Sequence, residues 1–358
     1  MLLKNAFFNA IVIKVAMLTI TLRKNVMAEF VSLKDVARLA GVSLMTVSRT
    51  FNNRDSVAPP TRQKVLAAAR ELGFIPNQLG RDLRQGVTRN VGALLSLCHP
   101  YLDLQYMRNL SWKLLSAGYS CQLVDSMSDP ELIIRTLEEF YSRRFALIIL
   151  RASSGLLASE KIVELLKRFP AVVLMCRAGI EERKDLEFCD RIIWESETAF
   201  EEAVTYLRKK GRSKALVFSP NTRSLLMDIA REKGLECQSF DSGDWVSNSH
   251  SEIRIVDEHF PGEFPFDTVF SKVDETAVIM IDHLRKRGLR VPEDVAVIGY
   301  NNTLVEGISP IPLASVDWNI AQMEKTLEHV VMERLKNPDS PKMIENVSYR
   351  FVRRTSCG

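Results

Sequence analysis

The sequence predicts an N-terminal all-α helix-turn-helix headpiece followed by an α/β core of two doubly wound parallel-sheet subdomains. Three observations support this fold class. Two short amphipathic runs flank a Gly-Val-Ser step at residues 41–43, and short apolar runs alternate with helical segments beyond residue 90. The length of 358 residues also exceeds what one ordinary hydrophobic core holds, so several domains are expected.

The charge of the chain is unevenly distributed. Residues 28–89 hold ten Lys/Arg against five Asp/Glu, although the whole chain carries a net charge of only +4. Residues 1–27 hold four basic residues and no acidic one, which leaves the remainder of the chain acidic. A basic module joined to an acidic body predicts a polyanionic partner for the module alone.

Residues 1–27 are apolar enough to resemble an export signal, but Lys14 interrupts the run and no convincing cleavage site follows. We expect an upstream extension that is disordered or that precedes the true start at Met27; a membrane or export role is the alternative. The six cysteines form no C-x-x-C pair and have no histidine at metal-ligand spacing, so we expect no metal, no cofactor and a reducing cytoplasmic location.

Residues 28–75 predict three short helices that share one small core. Two helices joined by a tight turn containing glycine form a helix-turn-helix, and a third helix completes the core. The residues that start or stop these helices are Ser32 with Asp35, Gly41, Ser43, Pro59 and Gly73.

The second helix of this motif carries the candidate base-reading residues. Val47 and Phe51 lie four residues apart and are expected to point inward, while Leu44, Met45 and Arg49 lie where a recognition helix reaches base edges. Apolar side chains contact thymine methyl groups, and arginine binds guanine bidentately. The alternative is that Leu44 and Met45 are core or incidental surface. The residues better placed for phosphates are Ser43, Thr46, Ser48, Asn52 and Thr61.

A specific resemblance emerges from two stretches, "VSLKDVARLAGVSLMTVSRTFNN" and "TRQKVLAAARELGFIPNQLGRDLRQG". They resemble the DNA-binding headpiece of the lactose/galactose repressor family over about sixty residues. The resemblance implies a homodimer on a near-palindromic operator of double-stranded DNA, with Leu44, Met45 and Arg49 as base-reading positions. It also implies a hinge helix over residues 77–85 that is disordered until DNA binds, with Leu83 as a wedge in the minor groove.

The residues of this hinge, 76–89, are compatible with that role. Asn77 is a good helix cap, Leu83 lies four residues after another leucine, and Arg84 lies where a phosphate would pass. Gly80 stands where the family usually has alanine and should cost the hinge helix about 1 kcal/mol. The alternative is a plain linker.

Beyond the hinge, residues 90–358 read as an effector-binding and dimerisation domain of two subdomains with a ligand cleft between them. The strand-type runs are "VGALLSL", "CQLVDS", "ALIILRA", "AVVLMCR", "ALVFSP", "DTVFS" and "VAVIGY", and the helical segments are 107–117, 131–142, 159–168, 198–210 and 275–287. This body, and "GLRVPEDVAVIGYNN" and "FVRRTSCG" in particular, resembles the periplasmic-binding-protein-like core of the same family. The resemblance implies that the chain crosses between subdomains near residues 190, 317 and 345.

The body contains no G-x-S-x-G, P-loop or G-x-G-x-x-G motif, so we predict that the protein is not an enzyme. Asp274 and Glu275 form a pair of carboxylates, but at the start of a helix they are more typical of a cap than of an acid/base pair.

The candidate effector-binding residues are Arg223, Asp274, Asn301 and Trp318. Cys176 stands where the family commonly has a carboxylate, Val273 and Asn301 replace other polar groups, and Leu226 replaces a glycine. A conventional sugar pocket is therefore doubtful, and we expect either no effector or a sugar-derived or anionic metabolite. Trp318 fits a ring-stacking role and a core role equally well.

Together these features predict a sequence-specific DNA-binding repressor whose DNA affinity a small metabolite modulates. A first alternative is a repressor of the same family with a degenerate pocket and no effector. A second is a solute-binding protein with a vestigial basic front end, which the basic headpiece argues against.

Overall fold

The structure is a computed structural model that divides into two compact units after Gly86. The structure describes residues 31–52, 56–75, 88–96, 100–177, 179–180, 183–218, 223–241, 250–303 and 309–358. Several predictions lie outside these residues: the extension 1–27, and Asn77, Leu83 and Arg84 of the hinge.

Three helices form the described part of the first unit: α1 (Leu33–Ala40), α2 (Leu44–Asn52) and α3 (Pro59–Glu71). They bury one small apolar cluster that includes Val36, Val47 and Val65, each with no exposed surface. Phe51 of α2 packs on this cluster as the sequence predicts, and its ring lies 5.5 Å from that of Phe74. The helix-turn-helix part of the predicted fold is confirmed.

Local signals define the ends of these helices. Gly41 follows α1 with φ +64°, a left-handed conformation that glycine adopts without a Cβ penalty. Pro59 begins α3, where a missing backbone donor costs nothing. The short turn that Gly41 permits brings α1 and α2 together on the same cluster.

The second unit contains two six-stranded sheets. The strand order is β11-β5-β4-β3-β1-β2 in the first sheet and β12-β10-β9-β8-β6-β7 in the second. All paired strands are parallel except β10 and β12. The strands are β1 (Asn90–Leu95), β2 (Ser120–Asp125), β3 (Leu147–Arg151), β4 (Val172–Arg177), β5 (Asp190–Glu195), β6 (Lys214–Val217), β7 (Glu236–Ser239), β8 (Thr268–Phe270), β9 (Ala296–Tyr300), β10 (Ala314–Asp317), β11 (Ile344–Ser348) and β12 (Arg350–Val352).

Helices cover both faces of each sheet, which confirms the two doubly wound subdomains. We call the subdomain around the first sheet the first lobe and the other the second lobe. The described helices of this unit are α4 (Pro100–Ser116), α5 (Pro130–Ser142), α6 (Ser154–Leu157), α7 (Glu160–Leu166), α8 (Glu197–Lys209), α9 (Arg223–Glu232), α10 (Ser251–His259), α11 (Asp274–Lys286) and α12 (Ile320–Lys336).

The two-sided burial of the sheets explains why their strands are continuous apolar runs. In β3, Leu147 and Ile149 belong to one core cluster, and Ile148 and Leu150 belong to the cluster on the other face. Strands buried on both faces lose the polar alternation of a half-exposed sheet.

The chain passes between the two sheets three times: after Glu195, after Asp317 and at Tyr349. A fully buried ion pair fixes the return to the first sheet. Arg334 of α12 donates from Nε and Nη2 to the two carboxylate oxygens of Asp190, each at 2.7 Å. Asp190 also accepts from the backbone N–H of Met343, just before β11, so the pair joins α12, β5 and the start of β11.

Candidate DNA-binding surface and ligand cleft

Burial of Val47 decides which residues α2 presents outward. Since a helix repeats every 3.6 residues, the side chains at 45 and 49 lie on the opposite side from residue 47. Met45 is 62% exposed, Leu44 is 45% exposed and Arg49 is also exposed. The three predicted base-reading residues therefore form an apolar and cationic surface that the core of this unit does not use.

The start of α2 is held by its own hydroxyl groups. Ser43 Oγ accepts a hydrogen bond from the backbone N–H of Thr46 at 3.1 Å, and the two side-chain hydroxyls lie 2.9 Å apart. Ser43 is thus the N-cap that the sequence predicts. Ser48 and Thr61 are half-buried, and Asn52 is the last residue of α2. Phosphate contact by these five residues stays a prediction.

The first helix is anchored in a similar way. The Ser32 backbone N–H and hydroxyl both donate to Asp35 Oδ2, at 3.0 and 2.6 Å. These hydrogen bonds, with a smaller contribution from Arg38, lower the pKa of the exposed Asp35 carboxyl. A carboxylate in the first turn also suits the helix dipole.

In the second lobe, Asp274 is almost fully buried, and its predicted effector contact stays a prediction. Its Oδ1 accepts from Ser315 Oγ at 2.6 Å, and its Oδ2 accepts from the backbone N–H and hydroxyl of Thr303, at 2.5 and 3.1 Å. A side chain at Gly299 would collide with Oδ1, so glycine permits this close approach. Asp274 thereby ties the start of α11 to β10 and to the segment after β9, which begins at the buried Asn301.

Trp318 belongs to an aromatic cluster where the two lobes meet. Its ring is almost fully buried and lies 5.9 Å from Trp194, 6.1 Å from Tyr300 and 6.0 Å from Tyr349. Trp194 is the last but one residue of β5 in the first sheet, whereas Trp318 follows β10 of the second. These contacts place Trp318 in the core between the lobes, and its ligand-stacking role stays a prediction.

Arg151, the last residue of β3, reaches into this aromatic cluster. Its guanidinium carbon lies 4.7 Å from the Trp194 ring centroid and 5.1 Å from that of Trp318, within the range of cation–π attraction. Nη1 also donates to the fully buried Asp103 at 2.5 Å, and Tyr106 donates to the same carboxylate oxygen at 2.7 Å. One side chain of the first lobe therefore contacts an aromatic ring of each lobe.

Beside this cluster, a cavity of about 310 Å³ opens at the carboxyl ends of the first-sheet strands. Parallel α/β sheets usually bind ligands at this edge. Arg151, Arg177, Cys176 and Trp194 line it. Arg223, predicted as an effector contact, is the first residue of α9, and its ligand role stays a prediction.

Sequence reasoning missed Arg151, Arg177 and Tyr349 as cavity residues. A usable signal was present, because the apolar runs "ALIILR" and "AVVLMCR" both end in arginine. Arginine at the carboxyl end of a buried strand lies at the ligand-binding edge of a parallel sheet.

Two family models match the chain. Residues 32–77 match bacterial regulatory proteins of the lacI family, and residues 204–357 match the periplasmic binding protein-like domain. The HTH-type transcriptional repressor PurR of Vibrio cholerae serotype O1 is 25% identical over 333 residues, covering 90% of this chain and 97% of PurR. PurR of Vibrio atlanticus is 28% identical, covering 91% and 98%.

The chain belongs to the lactose/galactose repressor family. This confirms the resemblance that the headpiece and the body suggest. As a member of this family it is a DNA-binding transcriptional repressor rather than an enzyme.

Solved structures show the same fold. The crystal structure of the lac repressor dimer bound to operator and the anti-inducer ONPF superposes with a TM-score of 0.77 at 19% identity, covering 91% of this chain and 99% of that one. A LacI family protein from Silicibacter pomeroyi gives a TM-score of 0.75 at 20% identity, with the same coverage.

Within the described residues, no helix is both long and apolar enough to cross a bilayer. The same residues contain no group of three or more His, Cys, Asp or Glu side chains that could hold a metal ion.

Burial of Asp274 predicts a pH dependence of stability. Burial raises the pKa of Asp274 from 3.8 to about 7, against the opposing effect of the hydrogen bonds from Ser315 and Thr303. Between these two pH values the folded protein keeps a proton that the unfolded chain has lost, so this group makes the folded state less stable as pH rises. The free energy of unfolding of wild type, minus that of Asp274→Asn, should therefore fall between pH 4 and 7. Above about pH 8 this difference should be constant.

Urea denaturation followed by tryptophan fluorescence measures this difference, because all four tryptophans lie in the second unit. Burial also raises the pKa of Glu252 to about 7. Because Glu252 is present in both proteins, its contribution cancels in the difference between them. A difference that does not change between pH 4 and 8 would contradict the assignment.

Proposed function

We propose that this repressor binds a near-palindromic operator as a homodimer and that a small metabolite in the cleft changes its affinity for DNA. The observation that carries the DNA-binding part is the outward surface of α2. Exposed Leu44 and Met45 have no role in the core of their unit, and Arg49 lies one turn later. An exposed apolar pair next to an arginine suits thymine methyl groups and a guanine edge.

The remaining DNA contacts in this proposal position the protein without reading sequence. Phosphate contacts are assigned to Ser43, Thr46, Ser48, Asn52 and Thr61. Asn77, Leu83 and Arg84 are assigned to a hinge that enters the minor groove at the operator centre. Because its partner is chromosomal DNA, the protein is placed in the cytoplasm.

An exposed apolar face on α4 supports the homodimer. Leu104, Trp112 and Leu115 are 45%, 67% and 63% exposed, and their spacing places them on one side of the helix. Large apolar residues in such a row mark an interaction surface, and a two-fold dimer would pair the same patch from both copies. The similar lac repressor structure is that of a dimer bound to operator.

The cavity of the first lobe supports the effector. Its volume, about 310 Å³, is at the small end of ligand sites and suits a metabolite of few atoms. Three similar solved structures hold a small ligand: the lac repressor with ONPF, CelR with cellobiose and an Enterococcus faecalis regulator with ribose. The mouth of this cavity lies beside the cluster that joins the lobes, so a ligand there can bias how the lobes pack.

The first test of the DNA contacts compares two substitutions of Arg49. Arg49→Ala should lose about 1–3 kcal/mol of operator binding and relax the preference at one base pair in each half-site. Arg49→Lys keeps the charge but loses the bidentate geometry, so it should relax the same base pair while binding random DNA as wild type does. Fluorescence anisotropy on single-base operator variants measures both effects.

Thr61→Ala is the control, because loss of a phosphate contact should weaken binding to every sequence alike. If Arg49→Ala weakens binding to operator and to random DNA equally, Arg49 does not read a base.

The homodimer has a separate test. The double variant Trp112→Glu/Leu115→Glu should sediment as a monomer at micromolar concentration, because it places charge in the apolar patch of both copies. It should also lose operator affinity, since each copy reads one half-site. Met127→Glu is the control, because Met127 is also a large apolar residue, 70% exposed, but belongs to the turn after β2 rather than to α4. A double variant that still sediments as a dimer would exclude this face as the interface.

A further inference from the structure

The polar wall of the first-lobe cavity is basic. Arg151 and Arg177 end neighbouring strands β3 and β4, and both line the cavity. Among the described residues that line it, none is Asp or Glu. Arg151 is also bonded to the fully buried Asp103, which is not among the residues that line the cavity.

The guanidinium charges of Arg151 and Arg177 both act on Tyr349. Burial raises the pKa of Tyr349, and the positive charges of Arg177 and Arg151 oppose that rise. Tyr349 also lines the cavity and lies at the third crossing between the lobes. The two arginines therefore both act on one buried hydroxyl group in the wall of this cavity.

Serine hydroxyl groups line the same cavity. Ser96 follows β1, and Ser128 and Ser153 belong to the segments after β2 and β3. Ser153 Oγ accepts from the backbone N–H of Leu156, which leaves its own proton to donate. Serine hydroxyls and guanidinium groups share one property as partners of a ligand, because both donate hydrogen bonds to an oxyanion.

We propose that this cavity binds a small oxyanion metabolite, one whose carboxylate or phosphate group is held between Arg177 and Arg151, with its carbon skeleton against Trp194. The proposal rests on the effector-binding part of the proposed function and names the class of the ligand. It places the anion on the first-lobe wall rather than at Arg223. Neutral polyols of the same size lack the negative charge that these two arginines would bind.

The binding test uses the purified full-length chain and two matched pairs of probes. Glycerol 3-phosphate is compared with glycerol, and succinate with 1,4-butanediol, by calorimetry and by tryptophan fluorescence, since Trp194 lines the cavity. At least one anion should give a saturable signal below about 10 mM, while its neutral partner gives none. The phosphate and carboxylate arms show which oxyanion the site prefers.

Substitution at the site identifies the anion's partner. Arg177→Gln should weaken binding of the responding anion at least about tenfold. Arg254→Gln, which removes an exposed arginine from α10, should leave it unchanged. Equal binding of a neutral partner, an unaffected Arg177→Gln variant, or no saturable signal from either anion would overturn the proposal.

Operator affinity measured with and without the responding anion separates this inference from the proposed function. A repressor that binds operator but neither anion fails only the oxyanion proposal. Saturable anion binding that leaves operator affinity unchanged supports the oxyanion site and contradicts effector modulation.

Discussion

Packing of Val47 into the small core of the first unit is the constraint on which the DNA-binding surface depends. Val47 has no exposed surface, and it meets Val36 and Val65 from the other two helices. Since the helical repeat is fixed, burial of this one residue leaves Met45 and Arg49 on the outer side of α2. The left-handed turn at Gly41 is short enough to keep α1 and α2 on the same core while that side of α2 stays exposed.

The second unit depends on a comparable contact, which lies between its lobes. Arg151 of the first lobe contacts Trp194 beside it and Trp318 of the second lobe, and Asp103 holds its guanidinium group in place. Tyr349 stacks on Trp318 from the strand connection that crosses last. The cavity opens next to these residues, so a bound anion would act on the same guanidinium group that joins the lobes. A ligand can shift a conformational equilibrium only by its differential affinity for the two states, and this contact provides a place for such a difference.

The sequence predicted the elements whose signals are local. Helix caps such as Ser43, the stop at Gly41 and the seven apolar runs all appear where the pattern placed them. It did not predict β5, because that strand opens with Asp190 and Arg191, two charged residues that a local pattern assigns to the surface. Asp190 is buried because Arg334, 144 residues away along the chain, neutralises it.

The same limit applies to the sites. The outward position of Leu44, Met45 and Arg49 follows from helical spacing alone. The candidate effector-binding residues came instead from a resemblance. In the structure, Asp274 accepts hydrogen bonds from Ser315 and Thr303, and Trp318 is almost fully buried. The arginines that line a cavity are determined by how strands from distant parts of the chain align. That alignment cannot be predicted from any single segment of the sequence.

Selection of genomic DNA fragments by the purified full-length protein tests the central claim most directly. If the chain is a dimeric repressor that reads bases through α2, the bound fragments should share one near-palindromic sequence with two inverted half-sites. The same selection with Arg49→Ala should recover a site that has lost its preference at one base pair of each half-site. Bound fragments without any shared sequence, or with a single unrepeated site, would contradict the account.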